Sequence, residues 1–270
     1  MPQRHNPNHS IGVFDSGLGG LTVVKELMAL LPKENIVYFG DTARVPYGTK
    51  SRETIIRYSR EIVAALLQHH VKMIVVACNT ASSLALDVLK KECPVTMVGV
   101  IDPGAKKAAL STRLKKVGII ATHSTVKSGK YAQRLKSFAP WARVLSRPCP
   151  LFVPLVEEGW FEHDITRRVA REYLSDFKKA GVDTLILGCT HYPLLKKTIG
   201  RVMGKKVVLI DSAREVALEV KPILQNQGLL RSQKASPKHL YLVSDEPEIF
   251  KYRAVRFLGK SVKNVKRHNF

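Results

Sequence analysis

The 270-residue sequence has few cysteines, and their number and spacing indicate neither a disulfide-bonded nor a metal-bound fold. Its four cysteines are too few for a disulfide scaffold. No Cys-x-x-Cys pair occurs, so we expect neither a zinc site nor a thioredoxin-type redox site. Free thiols suit a reducing compartment, and we therefore expect a cytoplasmic protein.

Long apolar runs are absent as well. The longest stretches, such as 62–67 and 73–78, are far shorter than the roughly 20 residues that a transmembrane helix needs. The first ten residues are polar and lack the apolar core of a signal peptide. We therefore expect no signal peptide and no membrane partner.

Acidic residues are scarce compared with basic ones. The chain has 44 Lys and Arg against 22 Asp and Glu, a formal net charge of +22. Such an excess indicates an anionic partner, which could be a nucleic acid, an anionic membrane or a negatively charged small substrate. The segment 229–270 is the densest, with ten basic and three acidic residues. No nucleic-acid-binding motif accompanies this charge, so we keep nucleic-acid binding only as an alternative function.

Short apolar runs alternate with amphipathic stretches along the chain. The clearest helical pattern is 51–70, with its apolar side chains on one stripe. Several runs are apolar on both faces, which is typical of parallel strands covered by helices, and the alternation predicts an α/β fold. The predicted strands are 11–14, 35–39, 72–77, 95–100, 116–121, 142–145, 182–187, 206–210 and 239–243.

The sequence also repeats itself. VKMIVVACNT (71–80) resembles VDTLILGCTH (182–191), and IGVFDS (11–16) resembles VGIIAT (117–122). In both halves a glycine lies 30 residues before the cysteine, at Gly48 in VPYG and at Gly159 in VEEG.

The repeat predicts two similar three-layer α/β/α domains with mainly parallel sheets, related by a pseudo-two-fold axis. We place the first at 1–102 plus 212–270 and the second at 103–211. The short connections at 101–104 and 210–212 are interpreted as crossover hinges between them, and the active site is expected in the cleft between the domains.

Two cysteines occupy equivalent places in this repeat. Cys78 and Cys189 each follow a predicted strand, and ligands of parallel α/β sheets bind beyond the carboxyl ends of the strands. Two thiols facing each other across a cleft could remove a proton from one face of a substrate and return it on the other. The pattern therefore favours a two-base racemase or epimerase, whereas Cys93 and Cys149 lack this context and are interpreted as structural.

Other polar residues lie at the same strand ends. Asp15 could meet an ammonium group or orient a thiol, and the glycines after it would let the backbone approach a ligand. Their spacing is not that of a dinucleotide-binding loop. The residues directly after the two cysteines could hydrogen bond a carboxylate, and His191 could receive charge; they are Asn79, Thr80, Thr190 and His191.

Taken together, these motifs resemble those of the glutamate racemase family, within the aspartate/glutamate racemase superfamily. They follow the family's order and extend over nearly the whole chain. The Thr-His-Tyr-Pro run resembles the glutamate enzymes more than the aspartate racemases. The matching segments are FDSGLGGLTV (14–23), YFGDTARVPYG (38–48), ACNTAS (77–82), CPLFVPLVEEG (149–159) and GCTHYPLL (188–195).

The resemblance implies interconversion of L- and D-glutamate without pyridoxal phosphate, metal or other cofactor. Cys78 and Cys189 would be proton donor and acceptor, assisted by Asp15 and His191. The resemblance also implies a homodimer and a supply of D-glutamate for peptidoglycan synthesis. The alternatives are a superfamily racemase acting on aspartate or a related acid, and the nucleic-acid-binding protein above. The expected substrate contacts are Asp15, Ser16, Tyr47, Gly48, Asn79, Thr80, Glu157 (with Glu158 as its neighbouring alternative), Thr190 and His191.

Overall fold

Strands and helices alternate through the protein, as seen in a computed structural model that describes residues 6–233 and 235–270. Residues 1–5 of the polar N-terminal stretch and Lys234 of the basic segment lie outside this description. The strands are β1 (Ser10–Asp15), β2 (Ile36–Gly40), β3 (Val71–Val76), β4 (Thr96–Gly99), β5 (Lys116–Ala121), β6 (Arg143–Pro148), β7 (Thr184–Gly188), β8 (Val208–Asp211), β9 (His239–Val243) and β10 (Val265–Arg267).

The helices lie mostly between consecutive strands. They are α1 (Leu21–Leu30), α2 (Arg52–Gln68), α3 (Asn79–Leu84), α4 (Leu86–Glu92), α5 (Ile101–Ser111), α6 (His123–Lys127), α7 (Lys130–Phe138), α8 (Phe152–Glu157), α9 (Asp164–Lys179), α10 (Lys196–Met203), α11 (Ser212–Asn226) and α12 (Pro247–Leu258). None of these helices is long and apolar enough to cross a membrane.

The strands form two sheets in which every described pair is parallel. The first sheet has the order β10-β9-β2-β1-β3-β4, and the second has the order β6-β5-β7-β8. The order β2-β1-β3-β4 in the first sheet corresponds strand for strand to the whole second sheet. This shared topology confirms the predicted α/β fold with two similar halves.

The C-terminal segment extends the first sheet. Strand β9 pairs with β2, and β10 adds the outer edge beyond it. The polar, exposed β10 was not predicted, because it has three residues and only Val265 is apolar. All strands from 10–99 and 239–267 thus belong to one sheet, and those from 116–211 belong to the other. The domain boundaries at 102 and 211 stay our proposal.

A continuous apolar core joins the two sheets. It runs from β1 and α1 through α5 and α11 to β7, while a second cluster covers the other face of the first sheet under α2. Strands β2, β3 and β7 are buried along their whole length, as their two-sided apolar sequence predicts. The connection 101–104, which the sequence analysis interprets as a crossover hinge, is helical in the structure. These residues begin α5, with Pro103 in its first turn, where proline is tolerated.

Candidate active site

One cavity lies where the carboxyl ends of the two sheets face each other. It has a volume of about 300 Å³ and collects residues that follow β1, β2 and β3 in the first sheet and β5, β6 and β7 in the second. Ten of the eleven predicted site residues line it, Asp15 being the exception. The lining residues are Ser16, Gly17, Val45, Pro46, Tyr47, Gly48, Cys78, Asn79, Thr80, Thr122, Val153, Pro154, Glu157, Cys189, Thr190 and His191.

Cys78 lies two residues beyond the end of β3 and caps the start of α3. Its Sγ accepts a hydrogen bond from Ala81 N at 3.5 Å and lies 3.8 Å from Ser16 Oγ. Burial, reinforced by the negative charge of Asp15, raises the pKa of the Cys78 thiol to about 12. Cys78 is therefore a neutral thiol at neutral pH.

Cys189, directly after β7, has a different electrostatic setting. Its Sγ lies 3.9 Å from Nδ1 of His191, whose Nε2 lies 3.1 Å from Oε1 of Glu157. Burial lowers the pKa of His191, but Cys189 and Glu157 outweigh it and raise the pKa to about 10. His191 is then an imidazolium that donates from both ring nitrogens, with Nδ1 toward Cys189 Sγ and Nε2 toward Glu157 Oε1.

Glu157, at the end of α8, is the carboxylate that pairs with His191. Burial raises the pKa of its carboxyl, but the hydrogen bond and charge of His191, with Arg253 at 3.9 Å, lower it overall. The neighbouring Glu158 is exposed and does not line the cavity. Of the two adjacent acids, Glu157 is thus the one that the fold directs to the site.

Asp15 lies behind the cavity wall. It is fully buried, and its carboxylate accepts hydrogen bonds from Gly17 N at 3.0 Å and Thr190 Oγ1 at 3.4 Å. Burial raises the pKa of Asp15, although the charge of His191 and the backbone donors oppose the shift. No hydrogen bond joins it to Cys78 among the described residues. Its charge therefore acts on that thiol through space.

The glycines after Asp15 allow a close approach between the two halves. A Cβ at Gly19 would lie 2.1 Å from Thr190 Oγ1 and 2.6 Å from His191 Nδ1, and a Cβ at Gly20 would lie 2.5 Å from Asp15 Cβ. The sequence suggested that these glycines would make room for a ligand. In the structure Gly19 makes room for the side chains of Thr190 and His191, Gly20 makes room for that of Asp15, and Gly17 lines the cavity.

The loop after β2 is held in place by the buried carboxylate of Asp41. Asp41 accepts hydrogen bonds from Tyr47 Oη, from Ser244 Oγ at 2.8 Å and from Arg44 Nε at 2.7 Å. Burial, followed by the charge of Asp41, raises the pKa of Tyr47, which therefore stays a phenol. This network fixes Tyr47 and the adjacent Gly48 against the cavity.

Sequence reasoning missed one polar cavity residue, Thr122. It follows β5, and its Oγ1 lies 3.0 Å from Thr80 Oγ1 in the other half of the chain. The internal repeat contained the signal, because an offset of 106 aligns Thr122 with Ser16. The apolar lining from Val45, Pro46, Val153 and Pro154 was also missed, since apolar loop residues have no distinctive pattern.

Asn79 has a fixed orientation and a donor to spare. Tyr131 Oη donates to its Oδ1 at 2.6 Å, whereas its buried Nδ2 has no partner among residues 6–233 and 235–270. A buried amide without a partner costs free energy unless a ligand supplies an acceptor. Within the same described residues, no group of three or more His, Cys, Asp or Glu side chains is arranged to hold a metal ion.

The comparisons with known proteins agree with this geometry. The sequence profile of the Asp/Glu/Hydantoin racemase family matches residues 11–220. A glutamate racemase of Geobacter metallireducens is 52% identical over 259 residues, which are 96% of each chain. Two similar solved structures are a glutamate racemase isoform of Bacillus anthracis (TM-score 0.94, 38% identity, 98% of each chain) and the Francisella tularensis glutamate racemase in complex with D-glutamate (TM-score 0.91, 39% identity, 97% of this chain and 98% of that one).

Proposed function

Because the chain belongs to the glutamate racemases within the Asp/Glu/Hydantoin racemase family, we propose that it interconverts L- and D-glutamate through Cys78 and Cys189. One observation supports this mechanism most strongly. The two thiols follow equivalent strands, β3 and β7, of two sheets with the same topology, and both line one cavity. A substrate between them would present opposite faces of its α-carbon to the two sulfurs.

The electrostatic surroundings of the two thiols assign them different roles as acid and base. Two-base racemisation needs a base on one face of the α-carbon and an acid on the other. The His191 imidazolium lies 3.9 Å from Cys189 Sγ and assigns the base role to Cys189, while burial and Asp15 keep Cys78 protonated and assign it the acid role. One thiol would accept the α-proton as the other donates, and each turnover in one direction prepares the enzyme for the reverse direction.

Hydrogen-bond donors in the cavity suit a dicarboxylic amino acid. Ser16, Thr80 and Thr190 supply hydroxyls, and the amide nitrogen of Asn79 has no acceptor within the part of the chain that the structure describes. We infer that these groups hold the substrate carboxylates. Glu157, which is ionised beside His191, carries the negative charge that an α-ammonium group would approach.

Circular dichroism of L-glutamate, with no added cofactor, tests the activity, and solvent deuterium tests the mechanism. We expect racemisation with deuterium at the α-carbon of the product.

Cys78→Ala and Cys189→Ala should each lower the rate in both directions by about 10³-fold or more, because each removes one of two required proton carriers. Cys93→Ala, at a half-buried thiol outside the cavity, is the matched control and should keep full activity. Full activity in Cys78→Ala would overturn the mechanism.

Substrate choice separates glutamate from the aspartate alternative. Racemisation of the two amino acids, measured side by side with purified enzyme, should give a higher kcat/KM for glutamate. A higher value for aspartate would reassign the substrate while leaving the two-thiol chemistry intact.

The cellular role follows from the same proposal. We infer that the enzyme works in the cytoplasm as a homodimer and that its D-glutamate supplies peptidoglycan synthesis. Depletion of the protein should then produce cells that need external D-glutamate to build their walls. Analytical ultracentrifugation of the purified protein gives its oligomeric state.

A further inference from the structure

The basic residues are concentrated at the edge of the second sheet that lies opposite the cavity. Strands β5–β8 are parallel, so the four connections that lead into them meet at their amino ends. We name residues 110–116, 137–143, 178–183 and 203–208 the basic edge. It contains eight Lys and Arg and a single acid, Asp183. This ratio of eight to one compares with two to one for the whole chain, and the edge carries seven of the 22 excess positive charges.

These four connections form one surface. Arg143 N donates to Lys115 O at 2.7 Å, and Val208 N donates to Asp183 O at 2.9 Å. The Asp183 carboxylate accepts from the backbone N–H groups of Arg113 and Leu114, at 2.6 and 2.7 Å. The one acid is therefore bound to the backbone of its neighbours. It pairs with none of the basic side chains of the edge.

Large apolar side chains project from the same edge. Leu110 is 76% exposed and Leu114 is 64% exposed, and Phe138, Trp141 and Val208 are each at least 40% exposed. Lys115 Nζ lies 5.7 Å from the centre of the Trp141 ring, so basic and aromatic groups interleave. Exposed Leu, Phe and Trp among Lys and Arg are typical of surfaces that insert apolar side chains between anionic headgroups.

We propose that the basic edge docks the protein reversibly on an anionic phospholipid surface. Its lysines and arginines would contact the headgroups, and Leu110, Leu114 and Trp141 would enter the boundary of the acyl chains. The cavity, at the carboxyl ends of the strands, then stays open to solvent. The sequence alone led us to expect no membrane partner, because it contains no spanning segment; a peripheral surface needs none.

Charge and chemistry favour this occupant over two others. A second copy of this chain would bring an equally basic edge, and like charges at close range repel. A nucleic acid would satisfy the charge but would leave Leu110, Leu114 and Val208 against phosphates. An anionic lipid surface satisfies both the basic and the apolar side chains.

Vesicle sedimentation with the full-length protein tests the proposal. Vesicles of phosphatidylglycerol and phosphatidylcholine in equal parts should sediment the protein at low ionic strength, and phosphatidylcholine vesicles should not. Lys178→Glu/Lys179→Glu and Lys205→Glu/Lys206→Glu should each weaken binding at least about tenfold, because each basic residue near an anionic surface adds attraction. The matched control Lys260→Glu/Lys263→Glu reverses two exposed charges beyond α12 and should bind much more tightly than either edge variant.

The apolar component has its own test. Leu110→Ser/Leu114→Ser should weaken vesicle binding several-fold, whereas Tyr252→Ser, which removes a 72% exposed ring from α12, should not. Circular dichroism verifies that every variant is folded, and racemase activity should be unchanged in all of them. Absence of binding to the anionic vesicles overturns the proposal. The proposal is also overturned if the charge-reversed edge variants bind anionic vesicles as tightly as the parent protein does. A third contrary result is binding of duplex DNA that is tighter than vesicle binding and is unaffected by the leucine substitutions.

Discussion

At the scale of single residues, the two cysteines differ because their neighbours differ. Cys78 experiences the charge of Asp15 through space, and Cys189 Sγ lies 3.9 Å from the imidazolium of His191. The charge on His191 in turn depends on Glu157, 3.1 Å from its Nε2. The asymmetry between the thiols therefore rests partly on a carboxylate that touches neither sulfur.

Glu157→Gln tests this dependence. The pKa of His191 is raised to about 10, so the imidazolium persists below that pH and is lost above it. Loss of the carboxylate removes one of the interactions that raise the pKa, so the imidazolium should be lost at lower pH. We expect the alkaline limb of the kcat/KM profile for L-glutamate to move to lower pH, with a roughly tenfold loss at mildly alkaline pH.

Glu158→Gln is the matched control, because it makes the same change on the adjacent, exposed residue. The amino group of the substrate titrates equally with every enzyme variant, so only the enzyme can separate the profiles. Identical alkaline limbs for the two variants would contradict a role for Glu157 in maintaining the charge of His191.

At the scale of elements, the glycines separate into those that the fold requires and those that it does not. Gly200 lies inside α10, and a Cβ there would be 3.8 Å from Leu209 Cδ1, which is an ordinary van der Waals contact. Gly204 ends the same helix with φ at +95°, a conformation that strains any other residue. Two glycines four residues apart should therefore respond oppositely to alanine.

Gly200→Ala should raise the free energy of unfolding by about 0.5–1 kcal/mol, because alanine loses less conformational entropy in a helix than glycine. Gly204→Ala should lower it by about 1 kcal/mol or more, through strain at positive φ. Urea denaturation of both variants, followed by circular dichroism, measures the difference. Destabilisation of the Gly200 variant equal to that of the Gly204 variant would contradict the assignment.

At the scale of the whole molecule, the net charge of +22 opposes folding. Some acids are paired, as Glu34 is with Lys72 in a buried pair, but basic residues outnumber acidic ones two to one. Repulsion among exposed charges is screened by salt, with a Debye length of about 10 Å at 0.1 M ionic strength. The protein should therefore be more stable in salt.

We expect the Tm to rise by a few degrees as potassium chloride is increased from about 0.02 to about 0.2 M, as measured by differential scanning fluorimetry. Lys205→Glu/Lys206→Glu lowers the net charge by four and should show a shallower dependence on salt. A Tm that falls with salt in the parent protein would mean that attractive ion pairs outweigh the repulsion.

Much of this architecture could be predicted from the order of the residues along the chain. Apolar runs of strand length, the repeat around the two cysteines and the polar residues at the strand ends are local patterns, and they predicted the α/β fold and six residues that line the cavity. The other four predicted lining residues, Ser16, Tyr47, Gly48 and Glu157, came from the family resemblance. The edge strand β10 was missed, because a short, exposed strand forms only once β9 is present to pair with it.

The sequence by itself determined the two halves and the chemistry-bearing side chains, because burial and strand periodicity leave a pattern in consecutive residues. Only the tertiary structure decided which of Glu157 and Glu158 faces His191, that Asp15 lies behind the wall, and that Thr122 meets Thr80. It also gathered basic and apolar residues from four separate connections into one edge. Such neighbours are far apart along the chain, so their distances depend on how the sheets are ordered and packed.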